Sequence, residues 1–123
     1  MVDAIATTPL EVARGYHHAW TSRNIDAARG LLDPNLETDL PLNDYSGREE
    51  FATALAGFGS LVNQVELLAE FENGDEALLL YDLEVDGLGP LRIAEHFTVA
   101  DGRITRIRMV NDTAELRKAG FAA

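Results

Sequence analysis

Hydrophobic and polar positions follow two different periods along this chain. Up to about residue 60 the apolar residues recur at helical spacing, and from Val65 onward they alternate with polar residues, as in strands. Helical segments followed by a run of strands are typical of an α+β domain and not of a βαβ repeat. We therefore predict that three N-terminal helices pack on one face of a curved antiparallel or mixed sheet.

Capping residues mark the first two helices. Thr8 and Pro9 suit the N-cap and the first position of a helix that continues to Arg23. Asn24 suits the cap of a short second helix, and the Asp33-Pro34 pair is predicted to end it.

A short strand and a third helix complete the first half. Residues 36–40 alternate in polarity and predict a strand. Ser46, followed by Glu49 three residues later, has the pattern of a capping box at the start of a helix that Gly57 and Gly59 close.

Four strands occupy the second half, separated by turn sequences at residues 73–74, 86–90 and 101–102. Alternation predicts the side chains that face the helices. They are Val65, Leu67, Ala69 and Phe71; Ala77, Leu79, Tyr81, Leu83 and Val85; Ile93, Glu95, Phe97 and Val99; and Thr105, Ile107, Met109 and Asn111. Residues 113–123 form a short C-terminal tail to a single domain.

Glu95 is the most informative polar residue, because its register places it between Ile93 and Phe97 on the apolar face. A carboxyl group there either finds hydrogen-bond donors or has its pKa raised by desolvation, and both outcomes are characteristic of acid–base sites. Two structural alternatives stay open: a carboxyl that bonds a core hydroxyl, or a bulge that turns Glu95 to solvent.

Other polar tips are predicted to converge near Glu95. Tyr81 and Asn111 share its face of the sheet, and Tyr16 and Trp20 lie on the buried side of the first helix. Each aromatic taken alone is typical of core packing, but together with Glu95 they indicate an apolar pocket with a few polar groups.

Asp39 is a second candidate carboxylate, but alternation turns it outward unless a bulge near Pro41 rotates it. His17 and His18 could flank the pocket mouth, although a solvated helix face explains them more simply. We predict no metal site and no cofactor, because no histidine is spaced against carboxylates in a ligand pattern and no glycine-rich phosphate loop follows a strand.

Composition narrows the class of partner. The 123 residues include 21 acidic and 10 basic ones, giving a net charge of −11, which disfavours nucleic acid. The chain has no cysteine, no apolar tract long enough to span a membrane and no signal-like start, so we expect a soluble, cytoplasmic protein.

The chain resembles the nuclear transport factor 2-like superfamily, particularly its SnoaL-like and ketosteroid-isomerase-like members, over residues 10–112. The resemblance rests on residues 12–20, 24–34, 46–51 and 95–104, and on Arg108 with Asn111-Asp112. It implies a cone-shaped α+β fold with the pocket between sheet and helices. It also implies a homodimer through the outer sheet face, whose apolar part here would be Leu68, Leu78 and Leu80.

The resemblance also implies roles for individual residues. Tyr16 and Glu95 match the pair that binds the developing enolate oxygen in the isomerases, where a neutral carboxyl group donates a hydrogen bond. The isomerase base falls on Leu40, with Asp39 one residue earlier, so the base is missing from its usual position. SnoaL-like cyclases need a single carboxyl group, for which Glu95 or Asp112 would serve.

The sequence thus predicts a protein that binds a small apolar carbonyl compound, with Glu95, Tyr16 and Asp39 as candidate catalytic residues. The candidate ligand-binding residues are Trp20, Leu40, Phe58, Tyr81, Met109 and Asn111. Isomerase or cyclase chemistry is one reading. A non-catalytic binding module is the second, and a structural dimer with a filled cavity is the third.

Overall fold

A computed structural model describes residues 8–114 and residue 118 of the chain. It contains three helices, α1 (Pro9–Thr21), α2 (Ile25–Gly30) and α3 (Gly47–Gly59). The strands are β1 (Leu32–Asp39), β2 (Val62–Asn73), β3 (Glu76–Val85), β4 (Gly89–Ala100) and β5 (Arg103–Asn111). The predicted α+β class is confirmed. Most of the predicted tail, residues 113–123, lies outside the described residues.

The sheet is mixed and open, with strand order β1-β5-β4-β3-β2. β1 runs parallel to β5, whereas the other neighbours are antiparallel. The helices cover one face, called the inner face here, and its buried side chains form the core with α1. No helix in the described part of the chain is both long and apolar enough to cross a bilayer.

The predicted N-cap of α1, Thr8, is confirmed, and Glu11 adds a reciprocal bond that was not predicted. The Thr8 hydroxyl oxygen accepts a hydrogen bond from the Glu11 backbone N–H at 3.2 Å, and Glu11 Oε1 accepts one from the Thr8 N–H at 2.9 Å. This reciprocal box satisfies two helix-end donors. The Asn24 side chain likewise caps α2 by accepting from the Ala27 N–H at 3.3 Å.

Two predicted helix boundaries are wrong. α2 ends at Gly30, and Pro34 lies inside β1, because this edge strand has no ladder pairing between Leu32 and Glu37 that a missing N–H would break. At α3 the Ser46 side chain makes no capping bond. The Ser46 backbone N–H instead donates to Glu50 Oε1 at 2.9 Å, so Glu50 and not Glu49 bonds the N-cap residue of α3.

A bulge in β2 reverses the predicted facing of its second half. Leu67 pairs with Tyr81 but Ala69 pairs with Leu80, so Leu68 is an extra residue and the alternation shifts by one. Phe71 therefore points to the outer face, where it is 62% exposed. The predicted inward orientation of Ala69 and Phe71 is wrong.

The same shift brings two carboxylates to the inner face. Glu70 and Glu72 pair with the buried residues Leu79 and Ala77, and thereby lie under α1. Arg14 Nε donates to Glu70 Oε2 at 2.7 Å, and the Leu10 backbone N–H donates to Glu72 Oε2 at 2.9 Å. The bulge thus supplies acceptors that hold the first helix against the sheet.

A second irregularity, between β4 and β5, corrects the prediction for Thr105. Val99 pairs with Ile104 and Thr98 with Arg106, which leaves Thr105 unpaired and half-buried. Ile104 occupies the core position instead and is fully buried. From Ile107 onward the predicted alternation of β5 is correct.

Candidate functional site

A cavity of about 350 Å³ lies between one end of the inner face, helices α1 and α3, and the loop after β1. Every predicted site residue except Asp39 lines it: Tyr16, Trp20, Leu40, Phe58, Tyr81, Glu95, Met109 and Asn111. The remaining walls are predominantly apolar, and no Lys, Arg or His occurs among the described residues that form them.

Glu95 occupies the floor of the cavity. β4 places it between Leu79 on β3 and Met109 on β5, with its side chain turned to the helices and only 1% exposed. Burial raises the pKa of Glu95 to about 7, even though a hydrogen bond from Tyr81 acts in the opposite direction. The group therefore exchanges its proton near neutral pH, as an acid–base residue requires.

Tyr81 positions the Glu95 carboxyl group. The Tyr81 hydroxyl donates to Glu95 Oε1 at 2.6 Å within the protein interior. Burial, and then the charge of Glu95, raises the pKa of Tyr81 well above its ordinary value. Tyr81 thus stays a neutral donor over the pH range in which Glu95 titrates.

Tyr16 and Trp20 line the cavity from α1, and each carries one polar side-chain atom. Tyr16 is fully buried and Trp20 is 3% exposed, yet the Tyr16 hydroxyl and Trp20 Nε1 have no hydrogen-bond partner in the described structure. Burial, and then Glu95, raises the pKa of Tyr16 well above its usual value, so its hydroxyl stays protonated. An unsatisfied buried donor costs about 1–3 kcal/mol.

Asp39 lies away from this arrangement. It is exposed near the end of β1, paired in register with Arg108, and is not among the cavity-lining residues. Asp112 is also exposed, and its Oδ1 accepts a hydrogen bond from the Ala114 backbone N–H at 3.0 Å. Glu95 is consequently the carboxyl group that the structure brings into the cavity.

His17 differs from its sequence interpretation as part of a solvated helix face. It is 8% exposed, and its ring packs edge-on against Tyr81 at 4.6 Å between centroids. Burial, and then the neighbouring His18, lowers the pKa of His17 to about 4. Spacing could have predicted the burial of His17, because Ala13, His17 and Trp20 follow the i, i+4, i+7 pattern of one buried stripe.

The loop wall of the cavity was missed by the sequence analysis. Pro41, Leu42 and Tyr45 line the cavity from the segment between β1 and α3. Thr38 holds this loop, because its hydroxyl accepts from the Tyr45 N–H at 2.8 Å and donates to the Tyr45 carbonyl at 3.2 Å. No local periodicity signals such a wall, since a tertiary contact folds it.

Metal ligands are not grouped in the described part of the chain, where no set of three His, Asp or Glu side chains could hold an ion. The chemistry that the cavity-lining residues offer is proton transfer at Glu95 beside the neutral donor Tyr81, in predominantly apolar surroundings.

Solved structures share this fold over nearly the whole chain. A protein from Kribbella flavida DSM 17836 is 30% identical, with 94% of each chain covered and a TM-score of 0.86. An NTF2-like protein of unknown function from Cytophaga hutchinsonii is 21% identical, with 95% of this chain and 99% of that one covered and a TM-score of 0.80. TerC, co-crystallized with polyporic acid, is 19% identical, with 89% and 95% covered and a TM-score of 0.73.

Sequence comparison identifies the family of the chain. A comparison with curated proteins finds no significant match. The family model of the SnoaL-like domain matches residues 13–107, a span that includes all three helices in whole or in part and the floor of the cavity. The chain therefore belongs to the SnoaL-like family of the nuclear transport factor 2-like superfamily.

Proposed function

We propose that this protein binds a small apolar carbonyl compound in the cavity and that Glu95 moves a proton between two of its carbons. The observation that carries the proposal is a buried carboxyl group with a pKa of about 7 facing an apolar cavity. A group that is half protonated near neutral pH serves equally well as base and as acid.

The unpartnered polar atoms favour a carbonyl ligand. The Tyr16 hydroxyl and the Trp20 N–H are both donors, and a carbonyl oxygen is an acceptor without a proton of its own. The absence of cationic side chains among the described lining residues disfavours an anionic ligand. The TerC co-crystal with polyporic acid supports the idea that a protein of this fold accommodates a small molecule.

A mechanism follows from these assignments. The ionised Glu95 takes a proton from the carbon beside the carbonyl, and the electron pair of the broken C–H bond moves onto the carbonyl oxygen as an enolate. The Tyr16 hydroxyl donates a hydrogen bond to this developing charge. Neutral Glu95 then returns its proton to a carbon of the enolate system, which regenerates the carboxylate and completes an isomerisation or exchange.

The test is deuterium exchange at the acidic carbon of 1-tetralone in D₂O, followed by NMR. General acid–base catalysis typically supplies about 10²–10⁴ in rate, so Glu95→Gln should lower the catalysed exchange by that factor, or about 3–5 kcal/mol. Glu37→Gln is the matched control, because Glu37 is exposed on β1 and outside the cavity lining. Equal exchange rates for the Glu95 variant and the unaltered protein would overturn the proposal.

A binding module without catalysis is the second candidate function. It is favoured by the position of Asp39, which leaves the cavity with one carboxyl group where the isomerases use two. Saturable binding of 1-tetralone with no exchange above the uncatalysed rate would establish this alternative.

We further propose that the outer face of the sheet pairs two copies of the chain. The bulge in β2 adds Phe71 to an apolar area that includes Leu68, Leu78, Leu80 and Val110, of which Phe71 and Val110 are 62% and 72% exposed. A patch of this kind favours protein association. Sedimentation should give a dimer for the unaltered protein and a monomer for Phe71→Asp, and a monomer in both cases would contradict the pairing.

A further inference from the structure

We infer that His17 is a positioning residue: its ring holds the Tyr81 ring in the orientation from which the Tyr81 hydroxyl reaches Glu95. His17 is not among the described residues that line the cavity, so it acts on the site through Tyr81. Its part in catalysis rests on the proposed function, whereas its effect on the Glu95 carboxyl group does not.

The hydrogen bond between Tyr81 and Glu95 runs diagonally across two strands. Tyr81 on β3 pairs with Ile93 on β4. Glu95, two residues further along β4, pairs with Leu79. Diagonal neighbours on antiparallel strands lie about 7–8 Å apart, a separation that aromatic and long side chains can bridge. The Tyr81 ring must therefore lean along its strand to bring its hydroxyl within 2.6 Å of Glu95 Oε1.

His17 packs on the Tyr81 ring from the helix side and fixes this lean. The two rings meet edge to face with 4.6 Å between centroids, which is a favoured aromatic arrangement. Trp20, the other α1 ring in contact with Tyr81, lies further away, at 6.4 Å. On the neighbouring strand β2, the partner of Tyr81 is Leu67, which is 39% exposed and covers the ring only in part. His17 is therefore the main support of the Tyr81 ring from above the sheet.

His17 acts through the shape of its ring and not through charge. Burial, and then His18, lowers the pKa of His17 to about 4, and Glu70 acts in the opposite direction. The ring is therefore neutral over the pH range in which Glu95 titrates. Its Nδ1 makes no hydrogen bond in the described structure, so packing carries the contact with Tyr81. Another flat ring of similar size should consequently replace it.

The titration of Glu95 reports the orientation of Tyr81. The hydrogen bond from Tyr81 lowers the pKa of Glu95, in opposition to burial, because it favours the ionised carboxylate. Tyr81 and Tyr16, the titratable groups that interact with Glu95 in the described structure, both stay protonated over this range. A Tyr81 ring that loses its support should therefore let the pKa of Glu95 rise. Water that enters the vacated space would lower this pKa, so the direction of the change identifies its cause.

The test is an NMR titration of the Glu95 carboxyl carbon in the protein without ligand. We expect a midpoint near 7 in the unaltered protein, and a midpoint about one pH unit higher in Tyr81→Phe, which lacks the donor. His17→Ala removes the supporting ring and should give about half of that rise or more. His17→Leu, a second ring-free variant that fills more of the volume, should also give a rise. His17→Phe should keep the midpoint within about 0.2 pH unit of the unaltered value.

Val12→Ala is the matched control, because Val12 is buried on the same helix at its packed end. This variant should lose stability in urea, as His17→Ala does, but it should leave the Glu95 midpoint unchanged. A midpoint that rises in neither ring-free variant of His17 would overturn the inference. A rise of the same size in Val12→Ala would also overturn it, since the change would then follow from lost stability alone.

Exchange of 1-tetralone, measured on the same variants, separates the positioning role from the proposed function. If Glu95 catalyses the exchange, the midpoint of the pH–rate profile should move with the midpoint of the Glu95 titration. A shifted titration without any catalysed exchange would support the positioning role and contradict the proposed function. Catalysed exchange with an unshifted titration in both ring-free variants would contradict the positioning role and leave the proposed function intact.

Discussion

The two ends of the inner face differ sharply, although only the row of Leu79, Glu95 and Met109 separates them. Ala77, Phe97 and Ile107 lie side by side on β3, β4 and β5, and each is 2% exposed or less. Two rows further along the same strands, Tyr81 and Asn111 line an open cavity. Glu95 lies in the row between them, at the boundary of solid core and hollow.

Helix α1 explains the difference, because it packs against both ends of the inner face. Its first turns bury Val12 and Ala13 in the solid core, and the Tyr16 ring meets Phe97 edge to face at 5.7 Å between centroids. Its last turn carries Trp20 to the cavity. Apolar packing at one end thus stabilises the fold, so that unsatisfied polar groups can persist at the other.

The largest expected effect on stability comes from truncating the solid end. Phe97→Ala should lower the free energy of unfolding by about 3–5 kcal/mol, because a fully buried ring leaves a cavity that the surrounding sheet cannot close. Leu55→Ala changes a half-buried residue beside space that is already open, and should cost about 1 kcal/mol. Urea denaturation of both variants at one pH measures the contrast.

The two variants also test the comparison itself. Similar losses for Phe97→Ala and Leu55→Ala would mean that the cavity end carries as much of the stability as the packed end. The division of the inner face into a stabilising and a functional end would then be wrong.

A somewhat smaller effect is expected from pH, through Glu95. The unfolded chain ionises this group near its ordinary pKa of 4.5, whereas the folded chain does so near 7. The folded state therefore binds the extra proton between these values, and the free energy of unfolding falls as pH rises from 4.5 through 7, by about 3 kcal/mol in all. The free energy of unfolding of Glu95→Gln should not fall in this way, because glutamine does not ionise.

The measurement is the difference in unfolding free energy between the unaltered protein and Glu95→Gln at several pH values. His17 acts in the opposite sense, because its lowered pKa of about 4 removes stability as pH falls through the region below 6.5, but it is present in both proteins and cancels. A difference that does not change between pH 4.5 and 8 would show that Glu95 is solvated in the folded state.

Most of the fold could be predicted from the sequence because its signals are local. The change of period, the N-cap at Thr8 and the alternation of β3 and β4 each depend on neighbouring residues. The facing of Glu95 followed from the same alternation, and so did its place beside Tyr81. These predictions needed no knowledge of distant contacts.

Most of the errors have their physical origin in contacts made outside the segment concerned. The bulge at Leu68 is set by pairing with β3, and the burial of His17 by Tyr81 on another element. Pro34 lies in a strand because β5 recruits the chain beyond it. The loop wall at Tyr45 depends on Thr38, seven residues away. None of these has a periodic signature in its own segment.

The extra residue in β2 makes the length of that strand matter more than its composition. Without Leu68 the same facing would follow from plain alternation, because Ala69 would come directly after Leu67. One residue added after Ala69 and paired regularly would instead turn Phe71 beneath α1 and move Glu70 and Glu72 to the opposite side of the sheet, away from Arg14 and Leu10. A one-residue insertion would thus exchange the roles of the two surfaces. Relatives that keep this architecture should accept many substitutions between Leu67 and Asn73 and very few changes in residue count.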